Sequence, residues 1–374
     1  MAEPRKRLDF IFFDAGGGHR SAANALKAVI ERQQRPWDIR LVNLQEVLRP
    51  LDIFRKVTGL PMEDVYNLLL RKGWTLGSPQ LTKIMHGIIR VHHGASVRLL
   101  KDFWTEYRPD LLVSLVPNFD RALYDSLEDR TPMVTILTDL ADYPPHFWIE
   151  KDQRQFFICG TDRAVEQARE MGHTPDRIFK TSGMILRPMF YDAVEVGRVV
   201  EREKLGLKPD LPTGLVLFGG AGSGVMFRIA KTVEADVQMI FICGRNEKLA
   251  NRLRGIETRF PISVQGFTAE VPYFMHLSDF FIGKPGPGSI SEALAMKLPV
   301  MVERNAWTLP QERYNADWIR EKQTGVVLKS FRDVNAGLAE LLAPENFARF
   351  RANAAAIRNR AVFEIPDILK SLMP

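Results

Sequence analysis

Short apolar runs, set off by glycine, proline and polar clusters, recur from one end of the chain to the other. Six lie in the first half: Leu8–Phe13, Ile39–Asn43, Leu111–Leu115, Met133–Leu137, Phe156–Cys159 and Ile178–Thr181. Six more follow at Gly214–Phe218, Gln238–Ile242, Ile262–Gln265, Asp279–Ile282, Pro299–Val302 and Gly325–Leu328. Runs this short and this apolar fit strands buried on both faces of a parallel sheet. Helical periodicity fills the gaps; in Ser21–Gln33, for example, Ala25, Leu26, Val29 and Ile30 share one face. A long helical region is expected from about Gln45 to Tyr107, broken near Gly59–Pro61, Gly77–Pro79 and Gly94. The alternation predicts the α/β class.

At 374 residues the chain exceeds the usual span of one core. The polar stretch Val196–Pro212 reads as a connection, giving domains at 1–195 and 196–345 and a helical segment at 346–374 that packs back on the first. Each half opens with a strand and then a glycine loop: Asp14-Ala-Gly-Gly-Gly-His-Arg20 and Gly219-Gly-Ala-Gly-Ser-Gly224. Two Rossmann-like domains facing across a cleft are the expected architecture.

A third loop, Gly283-Lys-Pro-Gly-Pro-Gly-Ser289, separates the strand at Asp279–Ile282 from a helix. Ser289 with Glu292 has the spacing of a capping box, so Ser289 is the expected N-cap. Such a helix start, with Lys284 beside it, suits an anion such as phosphate or pyrophosphate. A plain strand-to-helix turn is the competing reading. The first loop lacks the G-x-G-x-x-G fingerprint, and Asn43 stands where an acid would hold a ribose, so a dinucleotide oxidoreductase is not expected. No Gly-Lys-Ser/Thr of a Walker motif, D-x-D pair or His/Cys/Glu ligand pattern occurs, so no metal is expected.

Composition adds a compartment and a surface. No apolar run reaches the roughly 18 to 20 residues of a spanning helix. Cys159 and Cys243 lie in similar apolar strands and read as buried free thiols of a reducing, cytosolic compartment. Between Arg40 and Arg108 there are 11 Lys+Arg against 6 Asp+Glu, a local excess of +5. The same segment holds Ile53, Phe54, Leu60, Trp74, Leu76, Ile84, Met85, Ile88, Ile89, Phe103 and Trp104. Basic charge interleaved with apolar bulk suits an anionic membrane surface, although ordinary amphipathic core helices give the same pattern. Nucleic acid is not expected, since no dense basic block or binding module appears.

Four stretches together resemble a known family: Asp14–Leu26, Thr135–Leu140 with His146 and Trp148, Met184–Phe190, and Phe281–Val302 with Leu309–Asn315. The chain resembles the GT-B glycosyltransferases that include monogalactosyldiacylglycerol synthases, processive diacylglycerol glucosyltransferases and the lipid-linked N-acetylglucosaminyltransferase of peptidoglycan synthesis. The resemblance implies inverting, metal-independent transfer of galactose or glucose from a UDP-sugar to diacylglycerol, by a peripheral enzyme on the cytosolic face of a membrane. Another lipid acceptor, such as a polyprenyl-linked one, and a non-hydrolysing UDP-sugar 2-epimerase are the alternatives.

The resemblance also implies roles for residues. Gly219, Gly220, Gly222 and Ser223, with Lys284, Gly286, Gly288 and Ser289, would hold the pyrophosphate. Glu292 would hold the ribose hydroxyls, unless it serves only the capping box, and Phe267 would flank the uracil, unless it is core. Gln311, Glu312 and nearby Asn315 would read the hexose. Gly17 and Gly18 would join the residues that bind the donor. His19 beside them is the expected base, with Asp139 as its rival or orienter; a loop histidine bonded to backbone is the competing reading.

Overall fold

The structure, a computed structural model, describes residues 5–14, 17–51, 87 and 89–373. It divides into two compact units. One reaches Pro188 and is completed by the C-terminal stretch from Asn359; the other spans Met189–Arg358. The last helix, Ala361–Leu372, packs on helix Gly18–Arg32 of the first unit, whereas Pro344–Ala356 packs within the second.

The first unit carries β1 (Lys6–Phe12), β2 (Trp37–Asn43), β3 (Leu111–Ser114), β4 (Met133–Ile136), β5 (Phe156–Cys159) and β6 (Ile178–Lys180). They form one parallel sheet in the order β2-β1-β3-β4-β5-β6. The second unit carries β7 (Thr213–Leu217), β8 (Gln238–Ile242), β9 (Ile262–Gln265), β10 (Phe280–Gly283), β11 (Val300–Glu303) and β12 (Gly325–Leu328). Their order is β12-β11-β10-β7-β8-β9, again all parallel. All twelve strands lie within two residues of the apolar runs that predicted them.

The runs are continuous because both faces of each sheet are covered. In the second unit Val216, Met239, Phe241, Phe280, Ile282 and Met301 enter one core. Their neighbours Leu215, Leu217, Ile240, Ile242, Phe281, Val300 and Val302 enter another on the opposite face. Close strand packing needs Gly214, where a Cβ would stand 2.5 Å from the Phe280 ring. Cys159 and Cys243 are buried and free. Among the described residues no helix is long and apolar enough to cross a membrane.

The Arg40–Arg108 segment is corrected at both ends. Its described parts include helices Leu44–Val47 and His93–Phe103. Ile53, Phe54, Leu60, Trp74, Leu76, Ile84, Met85 and Ile88, and the breaks near Gly59 and Gly77, lie outside the described residues. Trp104 is no surface group: it is 2 % exposed, packs in the core of the first unit, and donates its indole N–H to Asp9 at 2.7 Å. Arg40 is turned the same way, donating through Nε (2.9 Å) and Nη2 to the fully buried Asp9 and lying over the rings of Phe103 and Tyr107. A buried carboxylate must be compensated, and this one draws in a cation and an indole that the composition had assigned to the surface.

Removing one partner of such a network leaves the others unpaired. Asp9→Ala should therefore lower stability by about 3 kcal/mol in urea denaturation. A loss below about 0.5 kcal/mol, the scale of an ordinary surface substitution, would mean that Asp9 holds nothing.

Candidate active site

Strand order decides where a ligand can enter an open parallel sheet: outside the carboxyl ends of two adjacent strands whose connections run to opposite sides. In the second unit those strands are β7 and β10, with Leu217 in register with Gly283. The loop after β7 is Phe218–Ser223, and the loop after β10 is Lys284–Gly286. The sheet thus brings together two glycine loops that lie more than sixty residues apart in the chain.

Helix Pro287–Ala295 follows the second loop, with Gly286 as N-cap and no side-chain cap bond. Ser289 is therefore not the N-cap. The fixed φ of Pro287 suits the first helical position and starts the helix three residues early. The correction favours an anion site. Ile290 N–H makes the first helical bond, to Gly286 C=O at 3.1 Å, so the Gly288 and Ser289 N–H groups precede any intrahelical acceptor. Apart from chain neighbours and the helix's own backbone, nothing lies within 4 Å of where a Cβ on Gly288 or Gly220 would stand, so both positions leave room on that side for a ligand. Gly219 and Gly222 adopt φ of +75° and +60°, the left-handed turn that only a small residue makes without strain. Ser223 caps helix Gly224–Thr232, accepting Val225 N–H at 3.2 Å. Glu292 is half-buried in the second turn of its own helix, away from the cap.

Lys284 ties the loops together. Its Nζ lies 2.8 Å from Glu312 Oε1, and its stem runs beside Gly219 and Gly286. Gln311 and Glu312 belong to the short 3-10 turn Pro310–Glu312, which leads into helix Arg313–Glu321. Asn315 is fully buried and donates to Pro285 C=O at 2.8 Å, bracing the glycine–proline loop from beneath. Phe267 is 63 % exposed, which excludes a core role. Arg245, which the sequence reading missed, lies over its ring at 5.2 Å and donates its backbone N–H to Gly220 C=O at 2.8 Å. The available signal was its place in Cys243-Gly-Arg-Asn246, directly after β8.

In the first unit the order reverses between β1 and β3. Gly17, at φ +78°, caps helix Gly18–Arg32, which presents His19 in its first turn. Burial lowers the His19 pKa to about 4, only partly opposed by a hydrogen bond to the Leu115 backbone just past β3. A carbonyl can only accept, so one ring nitrogen donates to Leu115 and the other keeps a lone pair. Thr138 Oγ1 stands 3.2 Å from Nδ1, and the Trp148 ring centroid lies 5.8 Å from that of the imidazole. Asp139 accepts the Trp148 indole N–H at 2.9 Å, so it bears on His19 through Trp148. The backbone around Trp148 is pinned by Asp142, which accepts the N–H groups of His146, Phe147 and Trp148 at 2.7–3.1 Å. Thr138 was the other omission, hidden because a threonine after a strand carries no distinctive signal. Neither Ala15 nor Gly16 of this loop lies among the described residues.

No protein-family model matches the chain. The chloroplastic monogalactosyldiacylglycerol synthase of Spinacia oleracea is 28 % identical over 99 % of this chain and 73 % of its own length. Monogalactosyldiacylglycerol synthase 2 of Arabidopsis thaliana is 27 % identical over 88 % and 72 %. Among solved structures, the S. aureus MnaA–UDP complex superposes with a TM-score of 0.61 at 14 % identity, over 98 % of this chain and 96 % of that one. MurG of Acinetobacter baumannii gives 0.60 at 11 % identity, over 98 % and 100 %. The UDP-GlcNAc 2-epimerase of Neisseria meningitidis, bound to UDP-GlcNAc, gives 0.59 at 12 %, over 97 % and 100 %. These structural likenesses concern the fold, and the relationship in sequence is to the galactolipid synthases. The chain is a glycosyltransferase of the GT-B fold, homologous to the monogalactosyldiacylglycerol synthases.

Proposed function

We propose that the protein transfers a hexose, galactose or glucose, from a UDP-sugar to the hydroxyl of diacylglycerol, with inversion and without a metal. The observation that carries this reading is the convergence of two glycine loops and Lys284 at the β7/β10 switch point, in a chain that aligns almost end to end with galactolipid synthases. Solved structures of the same fold that hold UDP or UDP-GlcNAc support the donor class. The epimerase reading enters through fold alone, whereas the sequence relatives reported above are synthases.

Two demands follow from an inverting transfer. As the acceptor oxygen bonds to the anomeric carbon, the bond from that carbon to the diphosphate oxygen breaks and UDP leaves as an anion. The open amides of Gly288 and Ser289, the Gly219–Ser223 loop and Lys284 stabilise that charge. The acceptor hydroxyl must also lose its proton, and the lone-pair nitrogen of His19 takes it, with Thr138 and Trp148 holding the ring. Glu292 accepts the ribose hydroxyls, Phe267 with Arg245 flanks the base, and Gln311 and Glu312 meet the hexose. Asn315 braces the loop, and Asp139 positions His19 through Trp148. The enzyme docks on an anionic bilayer through basic residues of the Arg40–Arg108 segment other than the inward-facing Arg40, and without the buried Trp104.

Glu292→Ala should weaken UDP binding by roughly 1–3 kcal/mol in calorimetric titration, as expected when a charge-assisted bond is lost. Unchanged affinity in a folded variant would remove Glu292 from the nucleotide site. His19→Ala should lower turnover about 100-fold or more with UDP affinity nearly intact. Its folded pKa lies below the ordinary 6.5, so the neutral base persists as pH falls until about 4. The acid limb of kcat/KM should accordingly lie well below 6.5, and a limb at 6.5 that vanishes in His19→Ala would show the ring to be solvated in the working enzyme. Vesicles containing anionic lipid should bind the protein less as salt rises, and replacing Arg55, Lys56, Arg71 and Lys72 by Glu should abolish sedimentation with vesicles but not UDP binding. Absence of vesicle binding at low salt would exclude the proposed docking surface.

A further inference from the structure

The proposed donor site contains a juxtaposition that its two assigned roles do not foresee. Lys284 was expected to meet the diphosphate and Glu312 the hexose, yet the two meet each other at 2.8 Å. Their surroundings differ. The Glu312 side chain is 9 % exposed and sits on a turn whose own backbone closes through Glu312 N–H to Leu309 C=O at 2.9 Å. The Lys284 side chain is 42 % exposed. Its Cε would lie 3.7 Å from a Cβ on Gly219 and 3.3 Å from one on Gly286, so the stem occupies a channel left by two missing side chains. One partner is therefore a nearly buried anion on a fixed turn, and the other a cation on a four-carbon arm beside both phosphate loops. A buried carboxylate left without a counter-charge or hydrogen-bond donors is strongly destabilising. The arm can swing, and the acid cannot.

We infer that Lys284 and Glu312 form an ion pair that the donor's diphosphate opens, and that the hexose then satisfies the uncovered Glu312. This rests on the donor site proposed above and adds a coupling between its two halves. The diphosphate, held at the amides of Gly288 and Ser289, draws the ammonium toward itself. Glu312 is left to accept hydrogen bonds, and sugar hydroxyls supply the donors. UDP-hexose therefore makes both substitutions, whereas UDP opens the pair and leaves the acid uncompensated. After transfer the product is UDP, so closure of Lys284 back onto Glu312 competes with the product and promotes its release. Free hexose, without a diphosphate, finds Glu312 occupied.

The test is a calorimetric comparison of UDP, UDP-galactose and UDP-glucose on the full chain. Glu312→Gln removes the competing acid and frees Lys284. It should tighten UDP about threefold or more at low salt while weakening the UDP-hexose that the enzyme uses, so that the preference for UDP-hexose over UDP collapses. Lys284→Met alone risks destabilising the fold, so the double variant Lys284→Met/Glu312→Gln serves as its partner and should bind UDP more weakly than Glu312→Gln. UDP affinity that is unchanged or reduced in Glu312→Gln, with an unaltered melting temperature, would show that the pair stays closed on binding and would overturn the inference. Wild-type protein that binds neither UDP nor any UDP-hexose would instead overturn the donor site on which the inference rests.

Discussion

A diphosphate can be held by backbone alone only where several N–H groups have no partner in the fold, and parallel sheets supply such groups at the helix starts beyond their carboxyl edges. The second unit concentrates them where its strand order reverses, between β7 and β10. The residues around that point leave helix-start amides without intrahelical acceptors. Pro287 starts the helix early enough to leave Gly288 and Ser289 without helical acceptors. Asn315 supports the loop from below, and Gly219 and Gly222 turn with positive φ so that the facing backbone can approach. Lys284 then places a full charge beside partial ones.

The first unit has the same kind of reversal with different residues at it. Its reversal lies between β1 and β3, and there the helix start presents an imidazole. Burial keeps that ring neutral well below ordinary pH, while Leu115, Thr138 and Trp148 fix its orientation. Asp139 and Asp142 do not touch the ring through these bonds; each orders Trp148, one through the indole and the other through the backbone. Asp139 and Asp142 thus hold Trp148, whose ring lies beside that of His19.

The fold was legible in the sequence because buried parallel strands announce themselves as unbroken apolar runs, and a glycine must follow where backbone approaches a ligand closely. The glycine loops expected around Gly219, Gly286 and His19 do follow β7, β10 and β1. Helix starts were less legible: Ser289 and Glu292 have the spacing of a capping box, but Pro287 competes for the first helical position and wins. Trp104 and Arg40 misled for another reason, since amphipathic composition does not reveal a buried acid such as Asp9 drawing both inward. The Lys284–Glu312 pair left no trace, because the two residues are 28 positions apart and only the three-dimensional turn joins them. Thr138 was likewise visible only as a neighbour in space, whereas the place of Arg245 directly after β8 was a signal the sequence did hold.

Product analysis tests the central claim most directly. The purified protein would be mixed with vesicles containing diacylglycerol and with UDP-galactose or UDP-glucose, and the lipid product examined by mass spectrometry and by NMR at the anomeric carbon. Inverting transfer from an α-linked donor predicts a β-linked glycosyldiacylglycerol, formed in step with UDP and undiminished by a metal chelator. An α-linked product, or UDP release accompanied only by free or epimerised sugar, would contradict it.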